Sequence, residues 1–595
     1  MSPIQNWSIR VRRADLLLSC LLWISVTYLC YLYVFFRLDL SDEGYWILVA
    51  SNSNDLVANI SGLVSHPLWI LSFENLKVYR FVGFILSITS GAVFTHGLVL
   101  MTRNSKLGNL DDYSMVIKTL IYILPGAVFL LAMESSTPHY NSYVFWSITS
   151  AAGLIMISHR RDKESDIRFL WFLAGAILTI GALGKIFVLL FAFLIVLASP
   201  RRKMIELLSG SLASFTILVL ISSRTTNIVK DLLEQYRYYS VVSPGYSPTE
   251  LIRATFLSIK YSIGGYADKI VNSLPLIILS ILVILVCLLM GLNAFDTAIF
   301  SGMLLTIVAS LVWFEESRNG SILLVIALLI LVSLKLSRVK GPFSASSTAL
   351  VITTLLVIPV AFAFGTTAGG FMPKWGYCSG IYITTMLILA SRLYQREKVM
   401  QVFFFLTSAI ILGSQLIYTL SDSQHTGGSL LNRFQFVQAG NLGTFYVSSD
   451  QYVKFGQINY SMDLLKQEYG LNEAILFDLS EFQPLIGMSL GLKTPVIGLT
   501  LNSIGGNENE EQDIKWFDYA NTIQQQVTSI DKPFILINKA FTNCDWEIKC
   551  ERNQSLTMRE IALAKYVKDY PELYEYVSTI GENVLLANKL RRVQK

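Results

Sequence analysis

The stretch Ser41-Asp42-Glu43-Gly44-Tyr45-Trp46 sets two adjacent carboxylates just behind the first long apolar run of the chain. Ionised groups at the edge of a hydrocarbon layer are costly, and they persist there when they have pairing or chemistry to do. A carboxylate so placed can act as a general base toward an acceptor hydroxyl. Asp42 and Glu43 are the candidate catalytic carboxylates. The plainer reading is a capping pair, with Ser41 or Asp42 closing the N-terminus of an interfacial helix whose first turn favours acids. A second constellation is Glu134-Ser135-Ser136-Thr137-Pro138-His139-Tyr140. Glu134 and His139 could supply two ligands to a divalent cation, magnesium or manganese, but such a site needs more, Asp42 for instance. A helix end followed by a turn at Pro138 accounts for the same string. His66 reads as a packing or hydrogen-bonding residue rather than a base.

The elements that must position these residues are membrane helices. Of 595 residues 53% are hydrophobic and only 15% charged, where a soluble enzyme carries about a quarter. The deficit lies in residues 1–420, a series of apolar runs near the ~20 residues that cross a bilayer. Thirteen spans are predicted, at 14–36, 81–101, 116–133, 140–158, 169–181, 186–198, 204–222, 274–292, 297–313, 321–336, 347–365, 378–391 and 399–420. The first is too long for a signal core and lacks a small-residue cleavage site, so it reads as a retained span. Arg10, Arg12 and Arg13 precede it, and the same side carries Arg103, Lys106, Arg160, Arg161, Lys163, Arg201, Arg202, Lys203, Arg338, Lys340, Arg392, Arg396 and Lys398. Opposite loops carry mostly single positives, Lys185, Arg318 and Lys374. The positive-inside rule therefore puts the N-terminus in the cytoplasm and, with an odd span count, the tail outside. Two outer loops are long, 39–80 and 224–273, and their mixed apolar and charged residues at helical spacing suggest segments lying in the interface.

The tail, 421–595, has ordinary soluble composition. From Ser421 onward 16 Lys+Arg face 21 Asp+Glu, so the tail is acidic and the membrane part strongly basic. That excess is dispersed in short loops, which excludes a nucleic-acid footprint. Strands are expected at 444–448, 474–478, 495–499 and 534–538, and helices at 461–469, 484–491, 511–530 and 558–570. Their alternation predicts a small α/β domain with a parallel sheet. No Gly-rich phosphate loop stands among them. Cys544 and Cys550 would pair as a local disulfide if the tail is outside the cytoplasm, the other reading being two free thiols.

An Asp-Glu pair behind span one of a polytopic chain with an external C-terminal domain resembles the GT-C superfamily of membrane glycosyltransferases, such as the protein O-mannosyltransferases and the lipid A aminoarabinose transferase. His66-Pro67-Leu68-Trp69 with the later Tyr79-Arg80-Phe81 is similar to the superfamily's His-Pro-Pro-aromatic and Arg of the first outer loop. The run Gly175 to Lys185 resembles its Gly-rich span ending in Lys, and Arg318-Asn319-Gly320 stands where an outer Arg is frequent. A single proline follows His66 where two are usual. Trp516-Phe517-Asp518-Tyr519 is read as coincidence with the Trp-Trp-Asp-Tyr of oligosaccharyltransferases, so sequon recognition is unsupported.

The resemblance implies a bacterial inner-membrane enzyme with a periplasmic C-terminal domain, taking a sugar from a polyprenyl-phosphate-linked donor lodged among membrane lipids. The acceptor would be a lipid, a glycan or a protein. Asp42 would be the base or a metal- or substrate-orienting group. Glu134 and His139 would orient substrate, His66 would line the site, and Arg80, Lys185, Arg318 and Lys374 would face the leaving phosphate. Each of these cations also fits a lipid-headgroup anchor. A transporter or flippase of lipid-linked glycans is a second reading, opposed by the scarcity of mid-span charges and of paired Gly/Pro-broken spans. A non-catalytic envelope assembly protein is a third.

Overall fold

The computed structural model describes residues 3–36, 38, 42–51, 61–102, 115–133, 136–185, 187–197, 201–221, 345–363, 375–393, 398–421, 434–469, 471, 474–479, 485–492, 534–538 and 574–592, with a few isolated residues between 296 and 330. Outside them lie the loop 224–273, the strand expected at 495–499, the helices expected at 511–530 and 558–570, and Glu134, Arg318, Lys374, Cys544 and Cys550. The spans expected at 274–292, 297–313 and 321–336 lie almost wholly outside as well.

Helix α1 (Pro3–Phe35) leaves Leu16, Leu17, Leu18, Leu21, Trp23, Ile24 and Tyr28 uncovered. A helix with that much bare apolar surface suits hydrocarbon rather than water. It is followed by two short helices, α2 (Asp42–Ser51) and α3 (Gly62–Leu71), and then by α4 (Leu76–Thr102), α5 (Met115–Ala132), α6 (Tyr140–Ser158), α7 (Glu164–Gly184), α8 (Val188–Leu197) and α9 (Arg201–Ile221). Further along come α10 (Ala345–Ala363), α11 (Trp375–Leu393) and α12 (Lys398–Ser421). Among the described residues five helices are long and apolar enough to cross a membrane: Asp15–Phe35 of α1, α4, α5, α7 and Arg202–Ile221 of α9. The chain is a multi-pass membrane protein on that ground.

Close helix packing rests on small residues, which let backbones approach where lipid offers no hydrophobic drive. A Cβ on Gly97 of α4 would lie 2.4 Å from the Gly153 carbonyl of α6, and one on Gly91 2.7 Å from the Gly126 amide of α5. Helix α6 is the centre of the bundle, buried from Asn141 to Ser158. Helices α7 and α9 run parallel, in register through Trp171 with Lys203, Gly175 with Leu207, and Thr179 with Ser211. At one end of the bundle Asp15 of α1 accepts the Met115 and Val116 amides at 2.9 and 3.3 Å, closing the start of α5. At the other end α1, α7 and α10 finish while α4 and α6 begin. The candidate site is there.

The C-terminal part opens with the antiparallel hairpin β1 (Phe434–Gln438) and β2 (Thr444–Ser448), followed directly by α13 (Ser449–Glu468). Strands β3 (Leu476–Leu479), β4 (Phe534–Asn538), β5 (Tyr574–Ile580) and β6 (Asn583–Asn588) form a second sheet, ordered β3-β4-β6-β5. Only β3 and β4 run parallel; β6 is antiparallel to β4 and to β5. The expected parallel sheet is therefore a mixed one, because its last two strands are joined by the two-residue turn Gly581-Glu582 rather than by a crossover helix. Gly581 supplies the positive φ, +59°, that such a turn needs. Helix α13 starts twelve residues before the expected 461, because Ser448 caps it through the Gln451 amide.

The tail is not held apart from the membrane helices. Leu38, Ile47 and Ala50, Trp69, Leu76 and Tyr79 share one hydrophobic core with Phe445, Val447, Phe455, Ile458, Leu485 and Leu536. Helices α2 and α3, inside the first predicted outer loop, form its floor, and α14 (Leu485–Leu490) presses directly on α2. A Cβ on Gly44 would sit 2.6 Å from the Leu485 backbone nitrogen, which cannot swing aside. Gly44→Ala should therefore cost about 1–3 kcal/mol as an overpacking change. Thermal unfolding of the purified protein measures the loss, and limited proteolysis should show the tail released first.

Candidate functional site

Helix α2 opens at Asp42, so Glu43 stands in its first turn, where the amide dipoles favour an acid. The Glu43 side chain is fully buried. Its partner is Arg80, one turn into α4 and also fully buried. Arg80 Nε and Nη2 donate to Glu43 Oε1 at 2.9 and 2.5 Å. Its Nη1 donates to the Val34 and Phe36 carbonyls at 3.0 Å each. Those carbonyls belong to the end of α1, where a helix seeks donors and positive charge. One guanidinium thus ties the exit of α1, the start of α2 and the start of α4. The Thr137 hydroxyl donates to the same Glu43 oxygen and brings in the segment before α6.

That segment lies flat on α4. Tyr79 donates to the Pro138 carbonyl at 3.3 Å and meets the Tyr143 hydroxyl at 3.2 Å. A Cβ on Gly83 would fall 2.4 Å from Pro138 Cγ, so only glycine leaves room for the loop. His139 caps α6: its Nδ1 accepts from the Asn141 amide at 3.3 Å, and its own amide donates to Ser142 Oγ at 3.3 Å. An accepting Nδ1 puts the ring proton of a neutral His139 on Nε2. The ring is buried and stacks on Trp46 of α2 at 5.6 Å.

Trp46 also meets Tyr140 edge-on at 4.8 Å, and Tyr140 carries the Lys185 ammonium 4.6 Å from its ring centre. Lys185 ends α7, is buried, and donates to the Phe362 carbonyl of α10 at 2.5 Å. Its position follows from the sequence. A Cβ on Gly184 would lie 3.1 Å from the Tyr140 carbonyl and from the Tyr143 side chain, so α7 reaches α6 closely enough to deliver Lys185 over Tyr140. His66 of α3 lies to one side, its Nδ1 2.8 Å from the Ala50 carbonyl near the end of α2.

Of the residues picked from sequence, the structure brings Glu43, Arg80, His139 and Lys185 into one connected cluster and sets His66 on its flank. The backbone of Asp42 opens the helix that carries Glu43; its side chain lies outside the described residues. Thr137, Trp46, Tyr140 and Tyr79 join that cluster from outside the residues the sequence points to. Trp46 and Thr137 stand inside the two strings singled out above, and their nearness to the acids was the available signal. Among the described residues no three His, Cys, Asp or Glu side chains gather to hold a cation, Glu43 being engaged by Arg80 and Thr137.

No family model matches the chain, and no curated protein does. Solved structures give weak likenesses. The Archaeoglobus fulgidus oligosaccharyltransferase in complex with zinc and sulfate aligns at 11% identity over 93% of this chain and 70% of that one, with a TM-score of 0.42. The same enzyme tethered to an acceptor peptide containing an NVT sequon aligns at 10% identity over 98% and 74%, TM-score 0.42. The oligosaccharyltransferase AglB of that organism, in complex with an inhibitory peptide and a dolichol-phosphate, aligns at 12% identity over 99% and 75%, TM-score 0.41.

Proposed function

We propose that this protein is a membrane glycosyltransferase that moves a sugar from a polyprenyl-phosphate-linked donor to a lipid, glycan or protein acceptor on the extracytoplasmic face. The observation that carries the reading is the convergence of residues from three separate connections at one end of the bundle: Glu43 behind α1, Thr137 and His139 before α6, and Lys185 after α7. A buried ion pair contributes little net stability, since apolar replacements are often neutral or better by about 1–4 kcal/mol. Its presence under α2 supports a positioning task, fixing the start of the helix that opens at Asp42.

In this reading Asp42 takes the proton of the acceptor hydroxyl. The acceptor oxygen then bonds to the anomeric carbon as the bond from that carbon to the phosphate oxygen breaks, and polyprenyl phosphate leaves with the electron pair. Fixed cations favour the leaving phosphate, and they stabilise it most where water is excluded. Lys185 suits that role, with Arg318 and Lys374 as further cations on the same expected face. Arg80 is engaged with Glu43 and two carbonyls, so its part is to hold the base helix. His139, stacked on Trp46 at the start of α6, is the candidate for orienting substrate.

The test is release of polyprenyl phosphate from a labelled polyprenyl-phosphate sugar by the purified protein with membrane lipid extract as acceptor source. Turnover supports the reading; translocation of the intact donor across vesicles without bond cleavage would replace it with the flippase reading. Lys185→Met should lower turnover about 10²–10³-fold, as for loss of one fixed donor to a developing anion, with Lys185→Arg restoring part.

A further inference from the structure

We infer that the outer face of the β1–β2 hairpin is a membrane-contact surface, seated in the lipid headgroup layer beside the end of α1. Strand residues alternate between faces. Val437, Phe445 and Val447 point into the core shared with α2, α3 and α4. Phe436 and its cross-strand partner Tyr446 point the other way. Phe436 is 57% exposed. Apolar surface left in water is unfavourable in proportion to its area, so a bare phenylalanine beside a bilayer calls for lipid.

The hairpin is continuous with a surface that already faces lipid. The Tyr446 ring stacks on Phe36 at 4.5 Å and 11°, stands 5.1 Å from Phe436, and meets Tyr31 of α1 edge-on at 6.4 Å. Phe36 and Tyr446 also form a parallel backbone bridge, so the depth of the hairpin is fixed against the last turn of α1. Below it on α1 lie Tyr31, Tyr28 and Ile24, all exposed, spaced by three and four residues on one helix face. Tyrosines grouped at the end of a span, with apolar residues beneath, form the aromatic belt found at membrane–water boundaries. Lys77 completes the arrangement. Its ammonium lies 5.0 Å from the Phe35 ring centre and 5.3 Å from that of Phe445, and donates to Thr444 Oγ1 at 3.1 Å. A lysine of this kind keeps its charge at the water side while its stem covers apolar surface. The β1–β2 turn is built for the same close fit: Gly440 and Gly443 have φ of +53° and +95°, and a Cβ on Gly440 would collide with the Ser489 carbonyl at 1.9 Å.

The experiment replaces Phe436 by p-benzoylphenylalanine in the full chain, reconstituted in phosphatidylethanolamine–phosphatidylglycerol vesicles and irradiated. Ile24, 63% exposed within α1, is the positive reference, and Tyr576, 63% exposed on β5, the water-facing one. A phospholipid adduct at 436 about tenfold above that at 576 is the expected result for a belt position. Adduct at 24 with none at 436, equal adduct at 436 and 576, or cross-linking of 436 to a second copy of the chain would each overturn the inference. Phe436→Trp gives an independent reading: the added fluorescence should be quenched by lipids brominated near the headgroup, and undiminished emission would contradict the proposal.

Discussion

Arg80→Ala is expected to cost about 3–5 kcal/mol, because it strands the fully buried Glu43 carboxylate without its counter-charge. The same change strips the Val34 and Phe36 carbonyls of their donor. Removing both charges should be far milder. Glu43→Leu combined with Arg80→Met replaces the pair by apolar groups, which is often neutral or stabilising by about 1–4 kcal/mol. A double-mutant cycle on unfolding in mixed detergent micelles measures the difference. The account predicts that the double variant folds at least as well as the single one yet loses transfer, because the start of α2 is no longer held. A double variant that keeps full transfer would show that the pair has no positioning task.

Much of the membrane part was legible because its signal is long. Tens of apolar residues in a row outweigh local ambiguity, and α6 was placed at 140–158, as observed, because a polar string ending in His139 precedes it. Roles inside the site were less legible. Asp42 and Glu43 are neighbours on a helix, about 100° apart, so one can face the core while the other faces the opening. Composition cannot say which; only the position of Arg80, 37 residues along, settles that Glu43 is the buried one. An outer-face Arg reads the same from sequence whether it meets a phosphate or a buried acid, and the structure pairs Arg80 with Glu43.

The tail was read through its strands, and short strands carry weak signals. Strands β2 at 444–448 and β4 at 534–538 match the expected strands, whereas the sequence pattern predicts no strand over β1, β5 or β6. The turn Gly581-Glu582 between β-branched and aromatic runs is a two-residue hairpin signal that could have found the last two. The shared core of tail and outer helices had no sequence signature. Gly44 against Leu485, or Phe445 5.2 Å over Arg80, joins residues hundreds of positions apart.

Asp42→Asn is expected to lower the rate of sugar transfer at saturating donor by about 10²–10⁴-fold, the usual contribution of a positioned general base. The change is isosteric and opens the same helix, since asparagine caps as well as aspartate does. Stability and donor affinity should therefore hold, with the loss confined to kcat, as expected when an interaction made only in the transition state is removed. Glu43→Gln separates the two neighbours. It weakens the contact with Arg80 and so should reduce stability together with transfer.

The deciding measurement is kcat for transfer from a polyprenyl-phosphate sugar by wild type and Asp42→Asn, with thermal unfolding and donor binding followed on the same preparations. The account predicts a fold and a donor affinity left intact and a turnover lost. Equal turnover in the two proteins would contradict it and remove Asp42 from the chemistry.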